Sequence, residues 1–129
     1  MNNLEKSKQI INLLTSLTST GKIKWGYGDD ATVEDDDYAC VLDLQTGEKY
    51  EFSFSRHLQD NVLDNCLEID YFPVGYSIGM DYESTVIETI EYPTLDEELK
   101  KLGDTIVSEV WGESEEFYTD IINVLTSIK

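Results

Sequence analysis

Positive charge is what this chain has least of. Its 129 residues carry nine Lys and Arg against 27 Asp and Glu, a formal net charge of −18. Phosphates are held by Lys and Arg that displace condensed counter-ions, so a chain this acidic is expected to repel nucleic acid and anionic membranes. No apolar stretch approaches the roughly 20 residues that cross a bilayer. The start, MNNLEKSKQ, has no basic region followed by an apolar core. A cytoplasmic protein is therefore expected. Its two cysteines, Cys40 and Cys66, are expected to be reduced, buried core thiols rather than a disulfide. No Gly-x-Gly-x-x-Gly, Walker, Gly-x-Ser-x-Gly or EF-hand spacing occurs, which leaves nucleotide hydrolysis, serine-hydrolase chemistry and EF-hand calcium binding without a motif. His57, the single histidine, has Asp60 and Asp64 as possible orienting groups but no nucleophile context.

The apolar content is that of a globular protein and tyrosine is plentiful, with eight residues. The length suits one domain, 1–129, with a core of its own. Residues 37–56, DYACVLDLQTGEKYEFSFSR, hold the strongest pattern. Tyr38, Cys40, Leu42 and Leu44 alternate on one side of a Gln-Thr-Gly-Glu turn, and Tyr50, Phe52 and Phe54 on the other. Period-two alternation around a Gly-bearing turn predicts a β-hairpin, the centre of an antiparallel sheet.

Helical spacing of Leu4, Ile11, Leu14 and Leu17 predicts a helix over 3–20 that stops at Gly21. Residues 22–25 alternate and read as a short strand, with Ile23 and Trp25 inward. Residues 26–37, rich in Gly and Asp, read as an exposed loop. Residues 56–65 read as a connecting loop or a helical turn. A strand is expected at 65–72, and 76–82 and 86–92 also alternate, as one bent strand or as two. At Pro93 the period changes. Thr94 and Glu97 form a capping box, and Leu95, Leu99, Leu102, Ile106 and Val110 step by three and four, predicting a helix over 94–111. A last helix, 114–127, carries Phe117, Ile121, Leu125 and Ile128 on one face. Strands grouped together and helices set apart define an α+β class: four to five antiparallel strands, an N-terminal helix and two C-terminal helices packed on one face.

The segment Leu-Leu-Thr-x-Leu-Thr-x-x-Gly-Lys-Ile-Lys-Trp, ending at Trp25, resembles small prokaryotic and phage-borne proteins of uncharacterised function. In those a helix ends in a Gly-Lys-Ile-x-Trp segment, a small antiparallel sheet follows and helices close the chain. The resemblance covers residues 11–25, implies the same order of elements and a bacterial or phage source, and carries over no catalytic residue.

Charge is unevenly spread. Lys6, Lys8, Lys22 and Lys24 precede the acidic loop, whereas between Trp25 and Leu99 only Lys49 and Arg56 are basic. Alternate residues of a strand share a face about 6.8 Å apart, so Glu68 and Asp70, or Asp81 and Glu83, are placed to form rows of carboxylates. The expected function is a non-enzymatic acidic module that masks the basic surface of a nucleic-acid-processing protein, with no cofactor, no direct nucleic-acid contact and no membrane. The expected contact residues are Asp29, Asp30, Glu34, Asp35, Asp36 and Asp37, then Glu68 and Asp70, with Tyr27 and Tyr38 as aromatic anchors. The alternative is a small-ligand or divalent-metal-binding domain with the acidic loop as a lid.

Overall fold

Helix α1 (Asn3–Ser19) forms where Ile11, Leu14, Thr15 and Thr18 share a buried face. The computed structural model describes residues 3–27, 36–110 and 115–128. The two buried threonines are satisfied within the helix: Thr15 Oγ1 donates to the Ile11 carbonyl at 2.9 Å and Thr18 Oγ1 to that of Leu14 at 2.6 Å. Gly21, at φ 73°, ends the helix, and the Lys22 N–H closes back on the Leu17 carbonyl at 2.9 Å. Ile23 and Trp25 then dock inward, each 8% exposed, with the Trp25 indole N–H donating to Thr18 Oγ1 at 2.9 Å. The strand expected at 22–25 does not form. Side-chain docking holds this segment, and the ladder begins one residue later with β1 (Gly26–Tyr27), paired to residues 38 and 39.

The sheet is an antiparallel meander in the order β1-β2-β3-β4-β5. The central hairpin joins β2 (Asp36–Asp43) to β3 (Lys49–Gln59), with Gly47 at φ 94° in the turn. Leu44 lies beyond the strand and is 42% exposed, so the inward face ends at Leu42. The second hairpin corrects the expectation for 56–65. Strand β3 runs on to Gln59 and β4 (Val62–Phe72) starts at once, across a two-residue turn of Asp60 and Asn61 at φ 52° and 64°. Two left-handed residues match the twist of a tight hairpin, and Asp and Asn are the non-glycine residues that tolerate them. Leu58, Val62 and Leu63 are exposed there, which hid the alternation.

A strand at 76–82 is also not formed. Gly75 at φ 77° and Gly79 at φ 99° break the extended run into two turns, closed by the Tyr76 N–H on Pro73 and the Met80 N–H on Ser77, both at 3.1 Å. Strand β5 is Glu83–Glu88, shorter than the 86–92 reading at one end and longer at the other. The Tyr92 N–H turns back to the Glu88 carbonyl at 2.8 Å and ends it.

A 3-10 turn, Pro93–Leu95, leads into α2 (Asp96–Val110), so Thr94 sits inside a turn instead of capping the helix. Helix α2 buries Leu99, Leu102, Gly103 and Ile106. With α1 it covers the sheet face built by Tyr38, Phe52, Phe54, Leu67 and Ile87. Lys8 pairs with Glu98 at 3.3 Å between the two helices. Helix α3 (Glu115–Ser127) forms where expected but is not packed on the sheet: each described side chain from residue 118 to 128 is exposed. Its proposed cap, Ser114, lies outside the described residues, and no described helix is long and apolar enough to cross a membrane.

Helix α2 seats on the sheet at Gly103. A methyl group there would meet the Phe54 ring at 2.7 and 2.8 Å, and the Arg56 guanidinium. Arg56 in turn is fixed by three acceptors: Nε donates to Asn65 Oδ1 at 2.6 Å, Nη1 to Asp104 Oδ1 at 3.0 Å and Nη2 to the Lys100 carbonyl at 3.0 Å. Replacing Gly by Ala gains about 1 kcal/mol of helix propensity, but overpacking a seated contact costs about 1–3 kcal/mol. Gly103→Ala is expected to lower the urea midpoint, whereas Gly→Ala stabilises an open helix. A raised midpoint would show that α2 does not sit on Phe54.

Candidate functional site

Because α1 and α2 take one face of the sheet, the outward positions of the strands form a second face on which no described helix packs. Register places those positions in rows. Asp37, Ser55, Cys66 and Glu88 face one another across β2 to β5. Ala39, Ser53, Glu68 and Val86 form the next row, then Val41, Glu51, Asp70 and Ser84, then Asp43, Lys49 and Phe72. Asp64 and His57 oppose each other at the β3–β4 end. Seven carboxylates thus share this face with one lysine and one histidine. Like charges directly opposite one another destabilise a sheet, as Glu51 and Asp70 are here.

Two pairs concentrate the repulsion. Asp70 is 7% exposed, and its Oδ1 is buried without a hydrogen-bond partner. Beside it, burial first, then the charge of Asp70, a hydrogen bond with it and the charge of Glu51 raise the Glu68 carboxyl above its ordinary value of 4.5. At the other end Asp64 is fully buried. Its Oδ1 accepts the Ile90 N–H at 3.4 Å, and its Oδ2 lies 3.6 Å from His57 Nε2. A hydrogen bond with Asp64, then burial and the Asp64 charge, raise Glu88 in the same way, with His57 opposing. Between the pairs, burial, then Glu88 and Asp64, push the Cys66 thiol up to about 11.

These shifts bear on the chemistry His57 could do. The structure does bring it to Asp64, the orienting pair that the sequence offered. The thiol nearest that pair is held protonated, the reverse of the electropositive setting that activates a cysteine. Among the described residues no group of three His, Cys, Asp or Glu stands where it could hold a metal ion.

An aromatic cluster borders the acidic face. Phe72, Tyr76 and Tyr82 meet with ring centroids 4.8 Å apart for Phe72 with each tyrosine and 6.0 Å between the tyrosines. Lys49 Nζ lies over the Phe72 ring, 5.0 Å from its centroid. The Tyr82 phenol is raised by the charge of Asp70 first, then partial burial, then Glu68.

The residues expected from sequence are distributed unequally. Glu68 and Asp70 stand on the open face as a row of carboxylates, with Asp37 at its edge. Asp81 lies in the 73–82 loop and Glu83 at an inward register position, so they form no row with these. Tyr27 is 57% exposed and stacks on Tyr38, centroids 6.1 Å apart. Tyr38 itself is 1% exposed, a core residue under the helices, and does not serve as a surface anchor. Cys40 is buried as expected, but Cys66 is only half-buried; both are free thiols. Asp29, Asp30, Glu34 and Asp35, on which the acidic loop and its metal-binding alternative rest, lie outside the described residues, as does the side chain of Asp36. Sequence reasoning missed Glu51, Glu88 and Tyr82, and named Asp64 only as a partner for His57. Glu51 was legible as an outward residue of its strand, but its pairing with Asp70 required the register.

The chain matches no family model, no curated protein and no solved structure.

Glu68 and Glu88 give the fold an unusual pH dependence. A carboxyl whose folded pKa is raised binds its proton more tightly folded than unfolded, so its contribution is present below the ordinary value of 4.5 and is lost as pH rises through the folded value. The melting temperature is expected to rise as pH falls from neutral toward the ordinary carboxyl value of 4.5. Glu68→Gln with Glu88→Gln should raise it at the upper pH and flatten the slope. Glu97→Gln with Asp120→Asn, two exposed acids on helices, controls for net charge; equal flattening by both pairs would remove the face from the explanation. Cys66, with so little thiolate near pH 7, is expected to react with iodoacetamide on the order of 10²-fold more slowly in the native protein than in denaturant. Equal rates would show a thiol outside this electrostatic setting.

Proposed function

We propose that this chain is a non-enzymatic acidic binding module that masks a basic, nucleic-acid-binding surface of a partner protein. Phage anti-defence inhibitors and immunity proteins to nuclease toxins act in this manner, and the resemblance of residues 11–25 to small prokaryotic and phage-borne proteins fits such a source. The observation that carries the reading is the open sheet face, where carboxylates stand in register on four neighbouring strands with, among the described residues, Lys49 and His57 as the basic residues of those rows. Rigid strands hold those charges without the ordering cost that a loop would bring. Lys and Arg arrays that neutralise phosphates meet there a fixed lattice of oxygens.

Exposed unit charges about 4 Å apart attract by only about 1 kcal/mol in water. Several carboxylates must therefore act together, chiefly on the rate of encounter, and salt must weaken them. The acidic residues that precede Asp37 in the sequence add to the same charge, and Tyr27 offers an exposed ring.

The test begins with a partner recovered from the native host. It should be basic, and it should lose bound nucleic acid when this protein is added. Asp43→Asn, Glu51→Gln and Glu88→Gln together are expected to slow association about tenfold at low salt and to shallow the salt dependence. A variant that associates as fast as the parent, or a partner that keeps its nucleic acid, would sink the proposal.

A further inference from the structure

We infer that the open face contains a site for a single guanidinium, the side chain of one arginine of the basic partner, formed by Asp70, Glu68, Glu51 and Tyr82. The inference rests on the masking function proposed above and names the residue type that function recognises. Its first support is the arrangement of charge. Glu51 opposes Asp70 across β3 and β4, and Glu68 lies two residues away on the same side of β4. Among the described residues no Lys, Arg or His forms an ion pair with any of the three.

The second support is independent of the count of acids. Asp70 is 7% exposed and points to this face, yet its Oδ1 has neither solvent nor a hydrogen-bond donor. A buried carboxylate oxygen left without a donor costs free energy that an incoming N–H would recover. Beside it, burial and the charge of Asp70 raise the Glu68 carboxyl above its ordinary value.

The shape of the site selects the cation. The described residues offer no group of three ligands for a metal ion. An ammonium is a compact, strongly hydrated point charge that sheds its water reluctantly. A guanidinium is planar and weakly hydrated, and presents donors in a fork that engages two carboxylates side by side. It also stacks on an aromatic ring. Tyr82, 47% exposed, packs at 4.8 Å between ring centroids on Phe72, which lies two residues from Asp70 on the same side of β4.

Octa-arginine and octa-lysine peptides separate this site from simple charge attraction. By calorimetry at fixed ionic strength, the intact protein is expected to bind octa-arginine at least about fivefold more tightly than octa-lysine. Asp70→Asn and Tyr82→Ala should each bring the ratio close to one. Glu51→Gln, a milder change at an outer position, should lower it partway, which keeps the test usable if Asp70→Asn unfolds. Circular dichroism verifies the fold of each variant. Equal binding of the two peptides by the parent, with strong salt dependence, overturns the guanidinium site and leaves the masking reading in place. An arginine preference unchanged in all three variants also overturns it. Binding of neither peptide overturns both, and displacement of octa-arginine by millimolar Ca²⁺ at constant ionic strength replaces it with a metal site.

Discussion

The close seating of α2 on the sheet at Gly103 decides the rest of the structure. A helix carrying any side chain at that position would stand off from Phe54, and the Arg56 guanidinium would lose its place between the strands and the helix. Arg56 is one of only two basic residues in the whole stretch between Trp25 and Leu99, and it is used for architecture. Its three hydrogen bonds tie β3, β4 and α2 into one unit. Fixing α2 on this face leaves the opposite face to the carboxylates.

That second face is held together against its own electrostatics. Seven acids project from paired strands, and two of them, Asp64 and Asp70, are buried with an oxygen lacking a donor. Buried polar groups without partners are expensive, and the core on the other face supplies the compensating stability. Each buried aspartate lies against a glutamate whose carboxyl is raised above its ordinary value, by burial and the Asp70 charge at Glu68 and by a hydrogen bond with Asp64 at Glu88. Natural proteins concede stability in this way at sites of function. On the masking function proposed above, a cationic partner would supply the donors that these oxygens lack.

Helix α3 stands apart from this scheme. Its periodicity is as clear as that of α2, yet its described apolar side chains are exposed. Amphipathic spacing determines that a segment is helical, because both hydrogen bonding and propensity are local. It does not determine which surface the stripe meets.

Local patterns were sufficient for the three helices, the central hairpin, the inward docking of Ile23 and Trp25 and the α+β class, since each depends on residues a few positions apart. Where glycines adopt positive φ, at Gly75 and Gly79, alternation alone misled, because an apolar period of two survives in a chain that has turned. The Asp60–Asn61 turn was hidden for the opposite reason: its flanking strands expose their apolar residues. From the sequence alone came the net charge of −18 and the placement of Glu68 and Asp70 on one side of a strand. Only the tertiary structure decided that Tyr38 lies in the core, that Glu51 meets Asp70, that His57 and Glu88 meet Asp64, and that Asp70 keeps an unpaired oxygen. Those facts depend on register between strands and on which face a helix covers, and both are set by contacts between residues far apart in the chain.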